Sequence, residues 1–217
     1  MIQKSKVAVI GIGNIGTAVA TNLVKGGREI IVADRKIEKA KELSQKLGDL
    51  AQPMEIGAAI KEADIIVFAV WFDGIKELFH QYAIELQGKI IIDPSNPIAP
   101  DENGGFKKII NEKESAGEIL SLLAPKEAKF AKALGTLGAA SLLDAAFQTP
   151  EKSVLFYAND DTSINGTVEQ LIKDNGFDPV RVGGLEQSIR IEVFGDLHEF
   201  GTLGKTVTLE EAKQKIN

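Results

Sequence analysis

Apolar positions along the chain fall into short β-branched runs separated by stretches with helical spacing. Residues 7–10, 30–33, 65–70 and 90–92 are apolar throughout, the pattern of strands covered on both faces. Between them apolar residues recur every three or four positions, predicting helices over 15–25, 36–47, 56–62 and 73–86. Three of these run into glycine, at Gly26, Gly48 and Gly88, as a helix C-terminus prefers. Strand alternating with helix specifies an α/β fold with a mostly parallel, doubly wound sheet. The later part continues the theme, with strands expected at 130–134, 154–158 and 179–182. A helix is expected over 162–175, opened by Asp160 and Asp161 and closed by Gly176. Ser115 with Glu118, and Thr208 with Glu211, have capping-box spacing and predict two further helix starts. Residues 94–105, with Pro94, Pro97, Pro100 and the pair Gly104–Gly105, read as a long loop at a strand end, where function concentrates.

Composition narrows the classes. With 44% hydrophobic and 26% charged residues among 217, the chain is an ordinary globular protein rather than a disordered one. Lys plus Arg number 25 against 31 Asp plus Glu, a net charge of -6, so there is no basic footprint for nucleic acid or an anionic membrane. The absence of cysteine excludes disulfides, thiolate metal sites and a cysteine nucleophile, and suits a reducing compartment. The first residues lack a signal-peptide pattern, and the longest apolar run, 65–72, is far short of a membrane span. A cytoplasmic protein is expected.

The chemistry starts with Gly11-Ile12-Gly13-Asn14-Ile15-Gly16, a G-x-G-x-x-G between the first strand and the first helix. Such a turn needs glycine for a tight bend, for backbone approach to a pyrophosphate and for close helix–strand packing. The helix then offers free N–H groups and the positive end of its dipole. Asp34 follows the second strand, eighteen residues after Gly16, near the spacing of the residue that reads the adenosine ribose. Its carboxylate alone favours NAD(H). Arg35 and Lys36 favour NADP(H), because a charge-assisted bond from either to a 2'-phosphate is worth about 1.5 to 3 kcal/mol. The reading leans to NADP(H), with NAD(H) the alternative.

These residues and several later motifs make the chain resemble the small coenzyme F420-dependent NADP oxidoreductases of the 6-phosphogluconate dehydrogenase clan. The likeness rests on the glycine turn, on Ala33-Asp34-Arg35-Lys36 and on Ala69-Val70-Trp71. It continues through Asp93-Pro94-Ser95-Asn96-Pro97, Thr136-Leu137-Gly138-Ala139, Asn159-Asp160-Asp161 and the stretch from Gly176 to Leu185. The resemblance implies hydride transfer between a nicotinamide and a second planar ring, coenzyme F420 or a flavin, or to another small acceptor. No catalytic nucleophile and no metal is then called for, since such chemistry depends on positioning and water exclusion. It further implies that Ala69, Val70 and Trp71 line the nicotinamide, that Asn96 and Pro97 shape the ring cleft, and that Thr136, Leu137, Gly138 and Ala139 form the opposite wall. Packed under a loop, Trp71 would instead be core.

Residues 1–182 are read as the dinucleotide-binding α/β domain and 183–217 as a helical extension of it. Residues 188–201, with Ile189, Val193, Phe194, Leu197 and Phe200 at helical spacing, are expected to form a helix serving as core or as a homodimer surface. His198, near Glu192, Asp196 and Glu199, reads as a surface hydrogen-bonding group rather than a metal ligand, since a catalytic metal wants three convergent ligands. Two classes of function remain: an NADP(H)-dependent oxidoreductase with a small-molecule hydride partner, and a dinucleotide-binding redox sensor with little turnover.

Overall fold

A computed structural model describes residues 5–102 and 104–216. Residues 1–4, part of the reading of a missing targeting segment, lie outside the described residues. The chain begins β1 (Val7–Ile10), α1 (Asn14–Lys25), β2 (Ile30–Ala33), α2 (Ile37–Leu47), β3 (Ala51–Pro53), α3 (Ile56–Glu62), β4 (Ile65–Phe68), α4 (Phe72–Gln81) and β5 (Ile90–Asp93). A hairpin of β6 (Ile98–Pro100) and β7 (Phe106–Lys108) follows, then α5 (Ala116–Leu123), β8 (Lys129–Lys132) and α6 (Ala139–Asp144). The chain continues through β9 (Val154–Ala158), α7 (Asn165–Asp174), β10 (Asp178–Gly183), α8 (Ser188–Ile191) and α9 (Leu209–Lys215).

The main sheet has the order β10-β9-β8-β5-β4-β1-β2-β3. From β3 to β8 all neighbours are parallel; β9 meets β8 antiparallel at Lys132–Ala158, and β10 runs parallel to β9. The two-residue period of a strand sorts its side chains to two cores. Val7 and Val9 of β1 join apolar residues of α1, α2, α6 and α7 on one face, whereas Ala8 and Ile10 join those of α3, α4 and α5 on the other. Each fully buried Val, Ile or Leu contributes about 1.5–3 kcal/mol, and β1, β2 and β4 carry no polar residue on either face. A third cluster packs Val154, Phe156, Ala158 and Val180 against Ile191, Leu197, Val207 and Ala212 of the C-terminal segment.

Several expected elements differ. The helix expected over 73–86 is α4, ending at Gln81 and continued by turns to Gly88. The loop expected over 94–105 contains β6 and lends one strand to the β6–β7 hairpin. Strands β3 and β7 and helix α6 had too few residues to show a period. The largest departure is at 188–201. Helix α8 stops at Ile191, and the chain then folds through turns, with Phe194 in the left-handed region at φ 77°. Two glycines cause the fold-back: a Cβ at Gly195 would overlap the Ile189 and Arg190 carbonyls, and one at Gly201 would overlap the Gly195 carbonyl. The apolar spacing that suggested a helix instead turns Ile191 and Leu197 into the third core, while Phe194 and Phe200 stay half exposed.

Candidate active site

Strand β1 lies between β2 and β4, so the connections leave in opposite directions at its carboxyl end, where open α/β sheets bind ligands. Gly11 sits there at φ 96°, and a Cβ on it would come within 2.5 Å of the Ala69 carbonyl oxygen and of Val70 Cγ1. A Cβ on Gly16 would overlap the Gly11 carbonyl oxygen. Gly13 is different: a Cβ there meets nothing within 4 Å. The first and third glycines are thus required by packing, while the second keeps open the space in front of the helix. Helix α1 starts with no side-chain cap and no acidic residue in its first turn. Its leading N–H groups, at Asn14, Ile15 and Gly16, lack intrahelical acceptors by helix geometry. An uncapped start facing open space fits a pyrophosphate.

Asp34 does not point away from this turn. Its Oδ2 accepts the Ile12 N–H at 2.9 Å, and its Oδ1 accepts the Lys36 N–H at 3.1 Å. Arg35 and Lys36 are exposed, and neither side chain makes an ion pair or hydrogen bond among the described residues. Two unpaired cations stand beside a carboxylate that is occupied by backbone donors.

The Ala69 N–H donates to the Ile10 carbonyl at 2.8 Å, which carries residues 69–71 over the glycine turn. Ala69 and Val70 are half-buried. Trp71 is 60% exposed at the start of α4, which excludes a core role. Helix α6 packs on α1, and Leu137 and Ala139 share an apolar cluster with Ile12 and Ile15. The fold therefore gathers Gly11, Ile12, Gly13, Asn14, Ile15, Gly16, Ala69, Val70, Trp71, Thr136, Leu137, Gly138 and Ala139 at one sheet edge. Asn96 and Pro97 follow β5 at the same edge, but Asn96 has both polar ends engaged. Its Nδ2 donates to the Gly135 carbonyl at 3.3 Å, and its Oδ1 accepts the Val193 N–H at 2.7 Å.

That bond belongs to a strap, residues 192–200, which sequence reasoning missed. Lys132 is buried with Asp93, its Nζ 2.7 Å from Asp93 Oδ2 and 3.6 Å from Glu192 Oε1, and it also donates to the Ser95 carbonyl. The Glu192 carboxylate accepts the N–H groups of Ala116 and Gly117 at 3.0 and 2.9 Å. Burial pushes its pKa above the ordinary carboxylate range, against the opposing pull of Lys132. Farther along, the Glu199 N–H donates to the Thr136 carbonyl at 3.1 Å, and its side chain accepts the Gly138 N–H at 2.7 Å and the Ser141 hydroxyl.

His198 is buried rather than on the surface. Its Nε2 lies 3.0 Å from the Gly135 carbonyl, and its Nδ1 accepts the Phe200 N–H at 2.9 Å, the pattern of a neutral ring. Burial holds its pKa down to about 4. With Glu192 and Glu199 committed to backbone donors and Asp196 paired with Arg190 at 2.9 Å, these groups do not converge on a point. The one sequence signal for the strap was Lys132, a charge inside a buried strand. Leu134, at φ 65° and buried, is held in a strained conformation between this network and β8.

The family model of the coenzyme F420-dependent NADP oxidoreductases matches residues 6–97, from β1 through the loop after β5. The F420-dependent NADP reductase of Methanothermobacter marburgensis is 26% identical over 198 residues, covering 86% of this chain and 88% of that one. Over residues 6–97 the chain is similar to the coenzyme F420-dependent NADP oxidoreductase family. The fold is of Rossmann type, and relatives it resembles along its length are F420-dependent NADP reductases. The metalloreductase STEAP3 of Rattus norvegicus is 27% identical over 190 residues, which cover 88% of this chain but only 36% of that protein's length. Among solved structures, the hypothetical protein SMa0349 from Sinorhizobium meliloti superposes with a TM-score of 0.81 at 27% identity, covering 94% of this chain and 95% of that one. No helix among the described residues is long and apolar enough to cross a membrane.

Proposed function

We propose that the protein transfers hydride between NADP(H) and a second planar redox partner, coenzyme F420 or a flavin-like ring, at the carboxyl edge of its sheet. The observation that carries this reading is the uncapped start of α1, facing open space at Gly13, beside the unpaired cations Arg35 and Lys36. The backbone N–H groups of residues 13–16 would hold the pyrophosphate, and Arg35 and Lys36 would take the 2'-phosphate. When bound, NADPH supplies the hydride. Ala69, Val70 and Trp71 orient the reacting ring, and the apolar wall of Leu137 and Ala139 excludes water from it. The walls offer little polar recognition, because Asn96, the Gly135 carbonyl and the Gly138 N–H are already bonded within the chain. An apolar planar acceptor suits such walls better than a sugar or an amino acid. The polar exceptions are the buried hydroxyls of Ser95 and Thr136, which have no hydrogen-bond partner among the described residues.

Anaerobic mixing of the protein with NADPH and, in turn, coenzyme F420, FMN, FAD and a quinone tests the proposal. Oxidation of NADPH matched by reduction of one acceptor is expected. Tight NADPH binding with no acceptor reduced would instead make the chain a redox-sensing module.

A further inference from the structure

The acidic residue after β2 is the feature least at home in an NADP(H) site. A free carboxylate close to a 2'-phosphate is repelled by it, like charge against like charge. Two observations bear on how the site tolerates it. The Asp34 carboxylate is turned inward, with each oxygen accepting one backbone N–H, Ile12 in the glycine turn at 2.9 Å and Lys36 at the start of α2 at 3.1 Å. Independently, the two cations that follow that carboxylate in the chain leave it alone: neither Arg35 nor Lys36 forms an ion pair with Asp34 or with any other described residue. Here the backbone donors hold it, and the cations remain free.

We infer that Asp34 is a positioning residue, a clamp that ties the glycine turn to the β2–α2 junction, and not a reader of the ribose hydroxyls. This inference rests on the proposed NADP(H) site and sharpens it. A carboxylate that accepts the Ile12 N–H fixes the second residue of the turn, and through it the direction in which the N–H groups of residues 13–16 point. The same bonds hold its charge against the backbone donors of Ile12 and Lys36. The acidic residue thereby serves the phosphate-binding turn on one side and spares the 2'-phosphate on the other.

Clamp and reader differ in whether the selectivity changes at all. If Asp34 reads ribose, Asp34→Ala costs NADH affinity and relieves the repulsion of NADPH, so the ratio of affinities moves toward NADPH by about a hundredfold. For a clamp, Asp34→Ala weakens both dinucleotides by about tenfold and leaves their ratio within about threefold of wild type. Asp34→Asn keeps one acceptor oxygen without the charge and recovers part of the loss for both. Hydrogen exchange of the Ile12 amide in the ligand-free protein gives a readout that needs no dinucleotide. It is expected to be protected in the wild type and to accelerate in Asp34→Ala, while the amides of β1 keep their protection. A ratio shifted toward NADPH, or an Ile12 amide that exchanges equally fast in both proteins, overturns the clamp. Failure of the wild type to bind either dinucleotide would overturn the NADP(H) reading itself, and the clamp's role in binding with it, whatever the Ile12 amide showed.

Discussion

The two ends of the binding edge are finished in opposite ways. On the β1–β2–β4 side the polar groups are left open: the start of α1 has no cap, Gly13 faces free space, and Arg35 and Lys36 have no ion-pair partner among the described residues. On the β5–β8 side they are closed by the chain itself, the Ser95 and Thr136 hydroxyls apart. Asn96, the Gly135 and Thr136 carbonyls and the Gly138 N–H are all bonded to the strap of residues 192–200. Buried polar groups must be satisfied by something. A site meant for a phosphate leaves its donors to the ligand, whereas a wall meant for an apolar ring satisfies them in advance. The family match over 6–97 takes in the whole open half and reaches β5 and Asn96 of the closed one, so the glycine motif lies in the half whose donors await a partner.

Substitutions can break this contrast, and the largest effect on dinucleotide binding is expected on the open side. Gly16→Ala puts a methyl group onto the Gly11 carbonyl, and the strain of backbone against backbone should lower stability by about 3 kcal/mol and abolish NADPH binding. Thermal unfolding and a dinucleotide titration would register both.

On the closed side, Lys132→Met leaves Asp93 and Glu192 buried together without their shared cation. Removing one member of a buried charge cluster typically costs about 3–5 kcal/mol. Denaturant unfolding should show that loss, while NADPH affinity in the folded fraction stays close to wild type. A proportional loss of NADPH affinity would mean that the two halves are not separable.

His198 gives the closed side a pH signature of nearly the same size. Its pKa is about 4 folded against an ordinary 6.5 unfolded, so the unfolded chain binds the proton first as pH falls. Its contribution is complete above pH 6.5 and is lost as pH drops from there toward 4, by roughly 3 kcal/mol. Glu192 works the other way, because its raised pKa costs stability as pH rises through the carboxylate range. Comparing urea unfolding of the wild type with His198→Asn isolates the histidine: the variant should lose less stability between pH 6.5 and 4.

The smaller effects concern the ligand. Arg35→Ala should weaken NADPH about tenfold and NADH less than about twofold, read by fluorescence titration. Trp71→Ala should leave stability within about 0.5 kcal/mol, since the side chain is 60% exposed, while raising the KM for the acceptor in steady-state assays.

The same division explains what the sequence made legible. The β-branched runs of β1, β2, β4 and β5 are buried on both faces and leave no other reading, and the glycine turn is local, six residues long. The strap is the reverse case. Glu192 meets Ala116 at a separation of 76 residues, and His198 meets Gly135 at 63, so neither partner shows in a local pattern. The spacing of Ile189, Val193 and Leu197 imitates a helix that Gly195 and Gly201 prevent. The orientation of Asp34 was likewise hidden, because the spacing that marks a ribose reader is also the spacing that lets a carboxylate reach back to the turn.

Gly13 offers the most direct test that the open half is a dinucleotide site. A side chain there meets nothing in the protein within 4 Å, so Gly13→Val should change stability by no more than about 1 kcal/mol. It should nevertheless remove calorimetric binding of NADPH, because the new methyl groups occupy the space kept for the pyrophosphate. A Gly13→Val protein that binds NADPH as tightly as the wild type would contradict the account.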